Sequence, residues 1–164
     1  MATILLAVPA CHFSSSDRFC NTTKTRLKTA YNLALELMAS GHQVIIEVSG
    51  RVSYHQSGPM LNELMRRYLV SEGIDNQKIV LGKGVGIVDD SQNVFCSLAT
   101  KVMATEVHLV SSRWYWLAAK PFWQKYANTL GIPLTFVGVE DQAGWRTWVI
   151  YITYGLVVRI ATGL

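Results

Sequence analysis

Charge is scarce in this chain. Of 164 residues only 16% are Asp, Glu, Lys or Arg, while half are hydrophobic. That balance excludes a disordered tail or a solvating linker. Dense basic runs are missing as well: the net charge of +4 is spread out, so no nucleic-acid partner is expected, although the mild excess favours anionic ones. Cysteine is sparse, with Cys11, Cys20 and Cys96 odd in number and without C-x-x-C spacing. They read as reduced thiols, and the chain as cytoplasmic.

Other absences narrow the chemistry. His12, His42, His55 and His108 form no H-E-x-x-H or Cys/His pattern, so no metal site is expected; His108 reads as a satisfied core or edge histidine. No G-x-S-x-G elbow is present, which excludes that class of serine hydrolase. "GKGVG" (82–86) has neither the glycine spacing of a dinucleotide fingerprint nor the Lys-Ser/Thr of a phosphate loop, and it reads as a flexible turn. The start "MATILLAVPAC" lacks a basic n-region, so it reads as a buried strand and not a signal. The tail "TWVIYITYGLVVRIATGL" is the most hydrophobic stretch, yet Arg159 interrupts it. It falls short of the roughly 20 apolar residues of a spanning helix, so no transmembrane span is expected.

What the sequence does contain is a hydrophobic period that alternates between strand and helix. "TILLAVPA", "QVIIEVSG", "KIVLG", "EVHLVSS" and "PLTFVGV" read as buried strands. Between them lie helical stripes: Leu27, Ala30, Tyr31, Ala34, Leu37 and Met38 before Gly41; Leu61, Leu64, Met65, Tyr68 and Leu69 before Gly73; Val94, Phe95, Leu98 and Val102 after an Asp90 or Ser91 cap. A fourth helix ends near Gly131 and a fifth begins near Trp145. Five strands alternating with helices predict one Rossmann-like α/β domain over residues 1–164. It is a doubly wound, mainly parallel five-stranded sheet with helices on both faces, a three-layer sandwich. Strand order is not legible.

In such folds ligands bind beyond the carboxyl ends of the strands, where the winding reverses. The residues expected there are Arg26, Ser49, Gly50, Arg51, Asp90, Asn93, Ser111, Ser112, Arg113 and Tyr115. Hydroxyls, helix N-termini and cations suit phosphate or carboxylate. "SSRWY" (111–115) reads as a binding turn, with serines and Arg113 for an anion and rings to stack on a base. Asp89 and Asp90 read as helix-capping acids.

Several of these points resemble the YdcF/SanA/ElyC-like proteins, Rossmann-like domains of poorly defined function. They are Arg26 opening the first helix, "IIEVSG", "MRRYLVSEGI" followed by "KIVL", Asn93, and "HLVSSRWYWLAA" at the family's Val-Thr-Ser turn. The chain departs from the family's pattern at Leu61, at Asp90-Ser91-Gln92 and at Trp114-Tyr115. The resemblance implies binding of an anionic, nucleotide-like small molecule, with S-adenosylmethionine one candidate cofactor, or a part in cell-envelope metabolism. Whether a reaction is catalysed is left open. The alternative is a non-catalytic interaction or envelope accessory protein that docks through its aromatic C-terminal helix, a homodimer being one form of such docking. That helix is predicted over 145–161, with Trp148, Ile152 and Leu156 on its buried face.

Overall fold

The computed structural model describes residues 1–11, 20–50, 59–140 and 145–163; the side chains of 145–148, 151 and 162 lie outside that description. Five strands form one sheet: β1 (Thr3–Pro9), β2 (Gln43–Ser49), β3 (Ile79–Leu81), β4 (Glu106–Ser112) and β5 (Leu134–Val139). Their order is β3-β2-β1-β4-β5 and every pairing is parallel. Helices α1 (Asn21–Ala39), α2 (Leu61–Ser71), α3 (Ile87–Gln92), α4 (Arg113–Leu130) and α5 (Trp145–Thr162) complete the chain. The expected doubly wound sandwich is what forms.

The alternation of β-strand side chains builds two cores. Leu6 and Val8 of β1 and Ile46 and Val48 of β2 meet Leu27 and Ala30 of α1 and Met65 and Leu69 of α2 on one face. Leu5, Ala7, Val107 and Leu109 point the other way, onto Phe95, Phe122 and Trp123. Thus α1 and α2 cover one face, and α3 and α4 the other. The winding reverses between β1 and β4.

The backbone departs from regular geometry at two places. Gly50, after β2, has φ of +130°, and a Cβ there would come within 2.7 Å of the Ala10 Cβ. Only glycine lets the chain leave β2 so close to β1. After α3 the helix widens into π-helical turns over Asn93–Ala99, a form that often occurs at functional sites.

The tail is one helix, as expected; of its expected inner stripe Ile152 is partly buried, while Leu156 faces out. Leu156 is 52% exposed, and the Trp148 side chain lies outside the described residues. Close contact is made at Gly155, where a Cβ would approach the Ala118 Cβ to 2.7 Å. Pro121, inside α4, has no N–H to give the carbonyl four residues earlier. That carbonyl belongs to Leu117, and Arg159 Nη2 of α5 donates to it at 2.8 Å. The arginine that interrupts the apolar tail therefore completes the neighbouring helix. Among the described residues, no helix is long and apolar enough to cross a membrane.

Candidate functional site

β2 carries a glutamate in an otherwise apolar run. Val44, Ile46 and Val48 lie in the α1/α2 core, so alternation turns Glu47 and Ser49 toward α3. Both are buried, Glu47 completely. Gly82, just after β3, lies directly over them. A Cβ there would overlap the Glu47 carboxylate and come within 3.0 Å of Ser49 Cβ. Asn62 of α2 pins this turn by donating from Nδ2 to the Gly82 carbonyl at 2.9 Å.

Asp90 enters from α3 and is also buried. Gly84 makes room for it, since a Cβ there would overlap the Asp90 carboxylate and reach its backbone at 2.8 Å. The Tyr115 hydroxyl donates to Asp90 Oδ2 at 3.3 Å. Arg26 of α1 crosses above the Tyr115 ring, 5.5 Å from its centroid. It donates from Nη1 to the Pro9 carbonyl at 2.7 Å and from Nη2 to Ser112 Oγ at 2.8 Å. Ser112 also caps α4 by accepting from the Tyr115 N–H at 3.4 Å. Continuing the pairing of Ala7 with Leu109 places Ser111 beside Pro9, which itself faces Ser49. Ser49, Pro9 and Ser111 thus form a row across three strand ends.

Burial in this cluster shifts both acids. Loss of solvation, with the Asp90 charge adding to it, holds Glu47 well above the usual carboxylate range; the Val8 backbone and the Ser49 hydroxyl oppose this. Asp90 is pushed up to about 7, chiefly by burial, against the pull of Ser49, Tyr115 and the Arg26 charge, while Asp89 raises it further. Ser49 Oγ is close enough to oppose both shifts, yet aligned with neither acid for a full hydrogen bond. Burial therefore favours the protonated form of Glu47, while Asp90 is divided between its two forms near neutral pH. One donor and one partial acceptor side by side can move a proton or grip hydroxyls.

Among the described residues, several buried polar atoms here lack a hydrogen-bond partner: both oxygens of Glu47, Ser49 Oγ, Asp90 Oδ1, Ser111 Oγ and Arg26 Nε. Buried polar groups are nearly always paired. These atoms are concentrated at one place, the carboxyl edge of the sheet.

Of the residues predicted from sequence, the structure gathers Arg26, Ser49, Asp90, Ser111, Ser112 and Tyr115. Gly50 serves the backbone. Asn93 lies on a separate shallow cleft of about 230 Å³ with Lys83, Asp89 and Cys96. Arg113 is exposed and lines another cleft of about 500 Å³ with Trp114, Leu117, Gly138 and Glu140. Arg51 lies outside the described residues, as do the loop residues 12–19. The ring of Trp116 is already stacked on Phe136, with centroids 4.8 Å apart. His108 sits 2.8 Å from the Glu106 carboxylate, well down β4 from this edge. Glu47, Asn62 and the thiol Cys20 were not singled out by sequence. For Glu47 the available signal was one acid inside a buried strand. The chain matches no protein-family model and no curated protein.

Proposed function

We propose that this chain binds an anionic, nucleotide-like small molecule at the carboxyl edge of the sheet, over the reversal between β1 and β4. The observation that carries the reading is the set of unpartnered buried atoms on Glu47, Ser49, Asp90, Ser111 and Arg26. Acceptors and hydroxyls of this kind suit sugar hydroxyls, as an acid near the end of the second strand does in dinucleotide-binding sheets. The α4 N-terminus supplies positive potential for the ligand's anionic group; Arg113 lines the neighbouring cleft. The resemblance to the YdcF/SanA/ElyC-like proteins points to the same ligand class, with S-adenosylmethionine among the candidates. The Glu47–Asp90 pair would supply general acid–base chemistry if turnover occurs.

A thermal-shift screen with nucleotides, S-adenosylmethionine and sugar phosphates tests this. A ligand at a hundredfold excess over its Kd adds about 2.7 kcal/mol to apparent stability. A hit whose shift is lost in Asp90→Asn supports the site, whereas no shift from any of these ligands contradicts it.

A second reading, docking through α5, is favoured by a separate observation. Val149, Ile150, Leu156, Val157 and Ile160 of that helix are exposed, Ile160 by 83%. Exposed apolar patches mark interaction surfaces. A molar mass by light scattering that stays monomeric at high concentration would remove a homodimer from this reading.

A further inference from the structure

Cys20 stands at the N-cap of α1, a position usually held by Ser, Thr, Asp or Asn. Its Sγ accepts from the Thr23 N–H at 3.3 Å and lies 3.3 Å from the Thr23 hydroxyl. The same hydroxyl accepts from the Cys11 N–H at 2.9 Å. Cys20 Sγ is also 3.7 Å from the Cys11 carbonyl oxygen, and the Cys11 side chain hydrogen-bonds toward it. The end of β1 and the start of α1 therefore bring two thiols together, neither of them in a disulfide, with Cys11 buried and Cys20 partly exposed.

We propose that Cys20 and Cys11 form a peroxide-reactive dithiol, with Cys20 as the attacking sulfur and Cys11 as the resolving one. The hydrogen bond from Cys11, those from Thr23 and the charge of Arg26 outweigh burial and lower the Cys20 thiol to about 6. The N-terminus of a 19-residue helix stabilises the same thiolate. In the first step the Cys20 thiolate attacks one oxygen of a hydroperoxide. An S–O bond forms, the O–O bond breaks, and the alkoxide or hydroxide takes a proton from water, leaving a sulfenic acid. In the second, the Cys11 sulfur attacks Cys20 Sγ. The S–S bond forms, the S–O bond breaks, and hydroxide leaves with the Cys11 proton as water. Two thiols are oxidised by two electrons and one hydroperoxide is reduced. This inference is independent of the ligand reading.

Treating the full chain with hydrogen peroxide and mapping its peptides by mass tests it. The expected product is an intramolecular Cys11–Cys20 disulfide, formed while Cys96 is still a thiol. Cys11→Ser should instead accumulate the Cys20 sulfenic acid, trapped by dimedone. If that variant does not fold, alkylation of the unmodified chain by iodoacetamide decides. A thiol of this acidity gains in thiolate fraction and loses in intrinsic nucleophilicity. The balance makes Cys20 about tenfold faster than a free cysteine at pH 6 and slower than one above about pH 8. Cys20 reacting no faster than a free cysteine at pH 6, or a disulfide pairing other than Cys11 with Cys20, overturns the proposal.

Discussion

Among the described residues, the Glu47 carboxyl, one oxygen of Asp90 and the hydroxyls of Ser49 and Ser111 lie buried without hydrogen-bond partners near the carboxyl ends of the strands, while on α5 large aliphatic side chains face solvent. The two regions depart from ordinary burial in opposite senses. Inside, some buried polar atoms lack hydrogen-bond partners; outside, apolar side chains face water. The support beneath them differs too. The inner cluster is over-determined, with Gly82 and Gly84 closing on the two acids and Asn62, Tyr115 and Ser112 holding the frame. Among the described residues, the outer helix meets α4 at Gly155 against Ala118 and Arg159 against Leu117, and Val158 packs on the core.

The comparison can be broken most sharply with pH. Asp90 is raised from 3.8 to about 7, so the folded chain keeps a proton that the unfolded chain has lost. Its contribution is complete below the unfolded value and disappears as pH rises through about 7. The loss is roughly 4 kcal/mol by the size of the shift. Of this, about 2.6 kcal/mol falls between pH 5 and pH 8, where urea unfolding should show it. Asp90→Asn should remove that share and leave the decline that the raised Glu47 adds in the same direction. A wild-type chain equally stable at both values would mean that the acid is not confined as described.

Overfilling the interior should come next. Gly84→Ala drives a methyl into the Asp90 carboxylate and backbone, at a cost of about 3 kcal/mol, to be measured by the same unfolding assay. Gly155→Val wedges α5 from α4 and should cost less, about 2 kcal/mol. It should also speed amide exchange in α5 while leaving β1 and β4 protected. Loss of protection throughout the sheet would show that the seam is not local. The smallest effect on stability is expected from Ile160→Ser, within about 0.5 kcal/mol, because that side chain touches little. Any self-association through α5 should weaken in the same variant, as judged by light scattering.

Strands and helices were legible because hydrophobic period is a local property. "QVIIEVSG" and "EVHLVSS" announce buried strands whatever surrounds them. The strand-end rule then brought Arg26, Ser49, Ser111 and Ser112 to one place without knowledge of the strand order. Other features depend on tertiary contact. Glu47 hides in an apolar run, and its closeness to Asp90 arises only when α3 folds over β2. Hydroxyls, helix N-termini and cations were expected at this edge; Arg26 is spent on Pro9 and Ser112, and two carboxyls stand beside it. Spacing by four selected Trp148, Ile152 and Leu156 on the tail. The helix also turned Gly155 inward, because a missing side chain and a carbonyl freed by Pro121 decide that contact.

Ser49 and Ser111 give the most direct test of the strand-end site, since their hydroxyls have no partner in the free chain. Removing such groups should leave folding stability essentially unchanged, whereas a bound molecule that uses them would lose hydrogen bonds. The measurement is calorimetric titration of the nucleotide selected by thermal shift into the wild-type chain and into Ser49→Ala/Ser111→Ala. The expected result is one saturable site in the wild type and binding at least about tenfold weaker in the variant, with an unchanged melting temperature. Equal affinity in the two chains, or a variant that melts lower without its ligand, would contradict the account.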